Sequence, residues 1–211
     1  MNSSHGPRRP ADNPFASHRV EGLGYRCQRS SVEDLCRRLE ELGGRAAIVG
    51  PKGSGKTTLL QELALALRGK PIPVNLLGRC ARPWRTARGQ LPRRVQPSHV
   101  VLVDGAEKLE PIGWRLLLRA ARPARSVVVT LHHPGRLPTL VECRTDHRLL
   151  RELVTELAPA HASALEPGLE ALFQRHGGNI RLCFRELYDV FAGRPSGSPQ
   201  LEMNLDSQTG I

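Results

Sequence analysis

The sequence of 211 residues has few aromatic side chains, few cysteines and no long apolar run. Aromatic residues make up 4% of the chain, and apolar runs such as 100–103 and 127–129 are only as long as strands. A membrane helix needs about 20 apolar residues, so the sequence predicts no membrane span. The N-terminal segment carries charge but no following apolar stretch, so no secretory signal is predicted either.

The five cysteines are scattered along the chain, and no two of them form a C-x-x-C pair. Their odd number and their spacing argue against a disulfide framework or a zinc site, and favour reduced thiols in the cytoplasm. With 39% hydrophobic and 24% charged residues, the composition is that of a globular protein with a core.

The basic residues are concentrated in the middle of the chain. Segment 63–141 contains 14 basic residues and three acids, so it carries the whole formal charge of +11. A concentrated basic surface attracts polyanions, of which nucleic acid is the common one. However, only four of the 31 basic residues are lysine, and a GC-rich genome also favours arginine. Both a nucleic-acid partner and a basic surface that meets another protein or water therefore stay open.

Four segments are predicted from the pattern of apolar residues. Residues 1–14 and 194–211 lack periodicity and are interpreted as flexible tails. Apolar strands alternate with helices across 15–145, which predicts an α/β domain with a parallel sheet of five strands. Residues 146–193 contain helical patterns alone and are predicted to form a small all-helical lid.

The strands are expected where short apolar runs occur, at 46–49, 72–77, 100–103, 126–131 and 139–143. Pro71 and Pro73 are expected to limit the second strand to about four residues. Apolar residues recur at helical spacing at 30–42, 58–68, 114–121, 147–158, 167–176 and 179–192. Ser30 and Glu33 are interpreted as a capping box, and Pro167 as a first-turn residue. The basic segment 78–98 shows no periodicity.

A glycine-rich motif follows the first predicted strand and opens the next helix. Gly50 and Gly55 let the backbone wrap so that its N–H groups converge on phosphate oxygens. Lys56 adds a positive charge on the β- and γ-phosphates, and Thr57 offers a hydroxyl to Mg²⁺. The predicted nucleotide-binding residues of this loop are Gly50, Pro51, Lys52, Gly53, Ser54, Gly55, Lys56, Thr57 and Thr58. The chain has no Asn/Thr-Lys-x-Asp signature for guanine, which favours ATP over GTP.

Two acids follow the third predicted strand. A phosphate loop needs a partner strand that ends in an acid for Mg²⁺, and Asp104 ends the apolar run 100–103. Glu107 is the candidate to polarise an attacking water, and Glu110 is the second candidate. The alternative is that Glu107 and Glu110 are surface acids at the start of a helix, where negative charge is favoured.

The phosphate loop and the strand that ends at Asp104 resemble the Walker A and Walker B motifs of the AAA+ and STAND division of P-loop ATPases, over residues 13–192. The spacing from Asp104 to Glu107 is similar to the Asp-Gly-x-Asp form of the STAND branch. The resemblance implies a P-loop NTPase fold, a three-layer sandwich around a parallel five-stranded sheet, followed by a small helical lid. It also implies ATP and Mg²⁺ as ligands.

The same resemblance implies functions for residues outside these two motifs. Thr130, at the end of the fourth strand, matches the sensor 1 residue, with His132 as the second candidate. Arg181 in the run Gly-Gly-Asn-Ile-Arg resembles the sensor 2 arginine of the origin-recognition and transposon-accessory ATPases. Arg181 is therefore expected on the γ-phosphate, and the alternative is a solvated arginine near a helix start.

An arginine finger that acts on a neighbouring molecule is a further feature of such families. Arg136 is the candidate here, with Arg122 and Arg125 as alternatives. Residues 13–15 are expected near the adenine, because the entry segment of related proteins lies there.

Two further features have structural interpretations. Adjacent histidines point in opposite directions on a strand, so His132 and His133 are interpreted as structural or sensor residues rather than metal ligands. Trp114 has helical spacing to two leucines and is expected in the core.

Three functions stay open at this point. The first is an Mg²⁺-dependent ATPase whose nucleotide state changes the angle between sheet domain and lid, coupled to a polyanion or protein partner. The second is a nucleotide-gated binding or regulatory module with little turnover. The third is a small-molecule kinase, against which the sequence shows no arginine-rich lid insertion after the fourth strand.

Overall fold

The fold is described from a computed structural model, which describes residues 12–26, 30–77 and 82–194. The contacts between residues divide the chain into two compact units. The sheet unit is Gly24–Cys143, and the helical unit joins Met1–Leu23 to Arg144–Ile211.

Several sequence predictions fall wholly or partly outside the described residues. Of the predicted tails, only residues 12–14 and 194 are described. Cys27 and Cys80 also lie outside, and the other three cysteines are free thiols.

The sheet unit contains a sheet of five strands, and every strand pair in it is parallel. The strands are β1 (Arg45–Val49), β2 (Lys70–Asn75), β3 (His99–Asp104), β4 (Ser126–Leu131) and β5 (Thr139–Glu142), in the spatial order β2-β3-β4-β1-β5. Every residue of β3 and β4 is buried, as expected for continuous apolar strands covered on both faces. The predicted parallel α/β sheet is confirmed.

Helices of the same unit cover both faces of this sheet, namely α2 (Val32–Glu41), α3 (Lys56–Ala66), α4 (Pro83–Gln90) and α5 (Pro111–Ala120). The described α-helices of the helical unit are α1 (Ser17–Glu21), α6 (His147–Leu157), α7 (Ala162–Arg175) and α8 (Ile180–Phe191). Buried residues of α2 and α3 share one core with Ala46 and Ile48, and those of α4 and α5 share another with Ala47 and Val49. Because successive strand residues point to opposite faces, these two cores form the predicted three-layer sandwich.

The predicted range of the second strand, 72–77, was wrong at both ends. Strand β2 begins at Lys70 and ends at Asn75, and it contains both Pro71 and Pro73, which had been expected to limit it. The amide N–H of Lys70 donates to Ser98 O (2.8 Å), and that of Leu76 donates to Asp104 O (2.8 Å), so even-numbered amides face β3. The ring nitrogens of Pro71 and Pro73 therefore face the other way. Because β2 is an edge strand, no ladder hydrogen bond is lost.

The segment predicted to be irregular contains α4. Pro83 lies in its first turn, and Ala87 is its buried residue, while Leu91 beyond its end is also buried. Trp84 packs against the same core. With one buried residue inside the helix, no apolar period is visible in the sequence.

The predicted capping box was wrong by one residue. Ser31 caps α2: its hydroxyl accepts from the Asp34 N–H (3.1 Å), and the Asp34 carboxylate accepts from the Ser31 N–H (3.2 Å). Ser30 and Glu33 have the same spacing, so the pattern alone does not separate the two pairs.

In the helical unit, α7 begins five residues before Pro167, so the prediction of a first-turn proline was wrong. The buried residues Ala164 and Leu165 lie on the same face as Leu169 and Leu172. This apolar stripe continues past the proline and favours the longer helix.

Residues 13–15 also belong to the helical unit. The Phe15 ring is 3% exposed and lies 5.9 Å from the Phe184 ring and 5.4 Å from the Phe191 ring, measured between centroids. The Asn13 side chain donates to Tyr188 O (2.9 Å). The Phe15 ring therefore packs against α8 side chains, and its position near the adenine stays a prediction.

Within the described ranges, no helix combines the length and the apolarity needed to cross a membrane.

Candidate nucleotide-binding site

The phosphate loop lies between β1 and α3, as the motif predicted. A Cβ atom at Gly50 would lie 2.5 Å from Cys143 O, so this position accepts no side chain. Gly55 caps α3 with a left-handed φ of +83°, which favours glycine. Both glycines are therefore required by local geometry. The loop leads the backbone into α3, whose N-terminus is positive.

Lys56 lies at the start of α3, and its side chain folds over the loop. Its Nζ donates to Gly50 O (2.7 Å) and Pro51 O (2.6 Å), and 9% of the residue is exposed. One of its three donors has no partner among the described residues. Burial lowers the pKa of Lys56, whereas the charges of Cys143, Glu107 and Asp104 act in the opposite direction.

Asp104 ends β3 and is held by the neighbouring strand β4. The Thr130 hydroxyl donates to Asp104 Oδ1 (2.7 Å) and accepts from the Gly105 N–H (2.8 Å). The other carboxylate oxygen, Oδ2, is buried and has no hydrogen-bond partner in the described part of the chain. Asp104 therefore has one oxygen that is oriented by the protein and one that is free to bind.

We expect Thr130→Val to reduce stability and Mg·ATP affinity together. The substitution leaves Asp104 Oδ1 and the Gly105 N–H without a buried partner, which costs about 1–3 kcal/mol. Thr130→Ser keeps the hydroxyl and is the matched control. Thermal unfolding measures stability, and calorimetry with Mg·ATP measures the affinity. Equal ATP affinities for Thr130→Val and Thr130→Ser would contradict the proposal that the Thr130 hydroxyl positions Asp104.

Glu107 lies in a short 3₁₀ turn, Ala106–Lys108, that follows Gly105. Its Oε1 is 3.4 Å from His132 Nε2, and its Oε2 is buried without a hydrogen-bond partner among the described residues. Burial lowers the pKa of His132, and the Glu107 charge opposes this shift. The lowered pKa favours the neutral form of the ring, and Glu107 keeps one oxygen without a partner among the described residues.

Arg136, the predicted arginine finger, is bonded within its own unit. Its guanidinium donates to Ala106 O (3.0 Å) and Leu109 O (2.8 Å) and lies 5.2 Å from the centroid of the half-buried Trp114. These contacts bind the guanidinium within its own unit, so they favour a positioning role over a finger that reaches a neighbouring molecule. Instead, Arg136 holds both ends of the turn that carries Glu107.

We expect Arg136→Gln to lower the rate of ATP hydrolysis about tenfold and to leave ATP affinity unchanged. The substitution removes two charge-assisted bonds, worth about 1.5–3 kcal/mol each, that stabilise the turn carrying Glu107. Arg94→Gln, at an exposed position, is the control. Single-turnover phosphate release measures the effect. A finger would be revealed if mixing Arg136→Gln protein with Glu107→Gln protein restored hydrolysis.

The donor set fits Mg²⁺. Thr57 lies in the first turn of α3, and Asp104 presents the buried Oδ2. Mg²⁺ prefers oxygen ligands and is often held by one or two protein groups together with substrate phosphates. No cluster of three or more His, Cys, Asp or Glu side chains that could hold a metal occurs in the described ranges.

Tyr25 is a loop contact that sequence reasoning missed. A Cβ atom at Gly55 would lie 3.0 Å from Tyr25 Cδ2, so the ring packs directly on the phosphate loop. The Tyr25 hydroxyl donates to Cys143 Sγ (3.2 Å), and the backbone N–H of Tyr25 donates to the Glu62 carboxylate. A single aromatic residue in a short irregular segment gives no sequence signal of these contacts.

Arg181 is the second residue of α8 in the helical unit, and it is exposed. Asn179 caps this helix by accepting from the Leu182 N–H (3.3 Å). In the same unit, the Thr145 hydroxyl donates to Gly178 O (2.8 Å). Asn179, Ile180 and Arg181 therefore lie at the start of α8, close to the predicted start at 179, and Gly177 and Gly178 precede it.

A parallel sheet whose first strand leads through a glycine-rich loop into a helix, with an acid at the end of β3, defines the P-loop nucleoside triphosphatases. The sequence profile of the family described as AAA domain matches residues 12–166. This match covers more than half of the chain, so the chain belongs to that family and is a P-loop ATPase of the AAA+ type.

The chain is also similar to curated relatives. It is 37% identical over 97 residues to the phosphonates import ATP-binding protein PhnC 1 of Pseudomonas syringae pv. tomato. It is 40% identical over 96 residues to the phosphonates import ATP-binding protein PhnC 2 of Albidiferax ferrireducens. Each match covers 46% of this chain, but only 30% and 28% of the respective relatives.

Among solved structures, the chain is similar to a chain in the structure of Drosophila ORC bound to DNA. The TM-score is 0.37 at 13% sequence identity, over 76% of this chain and 63% of that chain.

Proposed function

We propose that the chain binds Mg·ATP at the phosphate loop and hydrolyses it, and that nucleotide state is coupled to movement of the helical lid and to a polyanion or protein partner. One observation supports this most. Two buried carboxylate oxygens, Asp104 Oδ2 and Glu107 Oε2, lack a hydrogen-bond partner among the described residues, and both carboxylates act electrostatically on Lys56. Such groups belong at reacting sites rather than in a structural core.

Nucleotide binding is assigned to the phosphate loop. Backbone N–H groups of the loop and the N-terminus of α3 surround the phosphates, and Lys56 Nζ donates to their oxygens. Thr57 and Asp104 would hold Mg²⁺, which when bound neutralises charge on the phosphates. Thr130 already uses its hydroxyl to hold Asp104, so we propose that it acts through Asp104 rather than directly on water.

The chemical step is assigned to Glu107. Its free Oε2 accepts a hydrogen bond from the attacking water and orients that water for in-line attack on the γ-phosphorus. The proton of the water passes to this oxygen or to the phosphate, and the bond to the ADP oxygen breaks. Arg181 of the helical unit is proposed to act on the γ-phosphate, as the resemblance implies.

A nucleotide-gated module with little turnover is the second candidate. The contact of Glu107 Oε1 with His132 favours it, because this contact occupies half of the proposed base. The segment between β4 and β5 contains no helix, which agrees with the absence of the lid insertion that a small-molecule kinase needs.

Phosphate release from ATP by the full chain tests these candidates. It is measured with Mg²⁺ and with EDTA, and with DNA, RNA or small-molecule acceptors. Mg²⁺-dependent release of phosphate supports hydrolysis, whereas tight ATP binding without release supports the regulatory module. Phosphate that appears only on an added acceptor would overturn both and indicate a kinase.

A further inference from the structure

The layer of the sheet unit formed by α4, α5 and the turns that follow them is strongly positive. Between residues 82 and 125 nine arginines are exposed, whereas Glu110 is the one exposed acid in this described range. Arg85 and Arg88 are three residues apart on α4, and Arg115 and Arg119 are four apart on α5. Each pair therefore lies on one side of its helix.

The arginines of α4 and α5 belong to a single surface, whereas Arg125 lies 3.9 Å from Glu40 of α2. Ala87 and Leu91 from α4 and its end share one buried core with Leu117 and Ala121 from α5 and its end. The two helices also contact each other. Their exposed sides therefore form one face, which we call the arginine face.

The opposite layer of the same unit has a different charge. Helix α2 exposes four acids and two bases, namely Glu33, Asp34, Glu40, Glu41, Arg37 and Arg38. A genome that favours arginine over lysine changes the type of base on every surface, but it does not remove acids from one face. The charge of the arginine face is thus a local property of the structure.

The arginines of α4 and α5 also form no ion pair with an acid of the described residues, although the Arg88 guanidinium donates to Leu91 O (3.3 Å) and Pro92 O (3.4 Å). Among the described residues, none of Arg85, Arg93, Arg94, Arg115 and Arg119 forms an ion pair with an acid, whereas Arg37 on α2 pairs with Asp34 at 3.1 Å. Their guanidinium groups have donors available for an anionic partner, and the guanidinium fork matches phosphate oxygens in geometry.

We infer that the arginine face binds the phosphate backbone of double-stranded nucleic acid. Single strands are bound by exposed aromatic rings, but Trp84 is half-buried against the core and Trp114 is covered by Arg136. A protein partner would need an apolar centre, and the large apolar side chains that the described part of this face exposes are only Ile112 and Leu116. Phosphate contacts carry no sequence information, so the binding is independent of sequence.

This inference names the partner in the proposed function, but the binding itself does not require hydrolysis. Fluorescence anisotropy with a labelled DNA duplex and the full chain tests it. We expect the affinity to fall steeply as salt is raised, with a slope of log K against log salt of about −4 or steeper. We expect Arg85→Glu/Arg88→Glu and Arg115→Glu/Arg119→Glu each to weaken binding about tenfold or more, since each removes phosphate contacts and adds repulsion.

The control is Arg37→Glu/Arg38→Glu on α2, which changes the net charge by the same amount. We expect it to leave the affinity within about twofold, and thermal unfolding verifies that all three double variants fold. Equal loss in the control and in the face variants would overturn the inference and indicate bulk charge alone. Polyglutamate that displaces the duplex at equal charge would indicate an acidic protein partner and would overturn it too.

Measuring ATP binding and duplex binding on the unaltered chain separates the two proposals. Duplex binding without ATP binding would contradict the proposed function and leave this inference standing. ATP hydrolysis without duplex binding would contradict this inference alone.

Discussion

Lys56→Ala is expected to lower the affinity for Mg·ATP by about 100-fold or more and to abolish measurable hydrolysis. Charge-assisted hydrogen bonds to phosphate are each worth about 1.5–3 kcal/mol, and the Lys56 ammonium lies where such bonds form. The lysine is also buried, so water does not screen its charge as at a surface. Calorimetry with a non-hydrolysable Mg·ATP analogue measures the affinity directly.

The control for this variant is Lys70→Ala, which removes one lysine charge from an exposed position at the start of β2. It is expected to leave the ATP affinity unchanged. Because Lys56→Ala leaves Gly50 O and Pro51 O without the Nζ donor, thermal unfolding has to show that the variant is folded. A folded Lys56→Ala protein with normal ATP affinity would refute the assignment of the site.

Glu107→Gln is expected to lower the single-turnover rate of ATP hydrolysis by about 10²–10⁴-fold, the range for removal of a general base. The amide keeps the shape and the contact with His132, but it cannot accept a proton from water. The affinity for Mg·ATP is expected to stay within a few-fold of the original, because Asp104 and Lys56 are unchanged. Phosphate release and nucleotide binding are therefore measured on the same preparation.

Glu110→Gln is the matched control for that experiment. Glu110 is exposed and directly precedes α5, and it was the second candidate for the base. Its replacement is expected to have no effect on the chemical step. A larger loss of the single-turnover rate in Glu110→Gln than in Glu107→Gln would indicate that Glu110 is the base. Full activity in both variants would show that neither carboxylate is the base.

The central fold was predictable because its signals are local. Continuous apolar runs such as 100–103 identify buried parallel strands, and the phosphate loop requires a strand before it and a helix after it. The bounds and the existence of an element were less predictable where tertiary contacts determine the local structure. The prolines of β2 are compatible with a strand only because β2 is at the sheet edge, and α4 buries a single helical residue, Ala87.

In the candidate site, too, features with a local sequence signal were predictable, and features set by tertiary contacts were not. The sequence pattern predicted that β3 and β4 are parallel strands, whereas the hydrogen bond between Asp104 and Thr130 at their ends was not predicted. The contacts of Arg136 with the Glu107 turn and of Tyr25 with Gly55 join segments about 30 residues apart that have no regular structure. No periodicity or motif marks such contacts, so they become visible only in the folded chain.

The outer side of β2 determines how the sheet ends. An exposed edge strand usually offers a row of free amide donors on which a strand from another molecule can assemble. Here Pro71 and Pro73 have no N–H, and the Asn75 N–H already donates to the Gln90 side chain (2.7 Å), which in turn donates to Asn75 O (3.0 Å). The edge therefore lacks the donors that intermolecular β-pairing needs, so self-association into fibrils is disfavoured at this border.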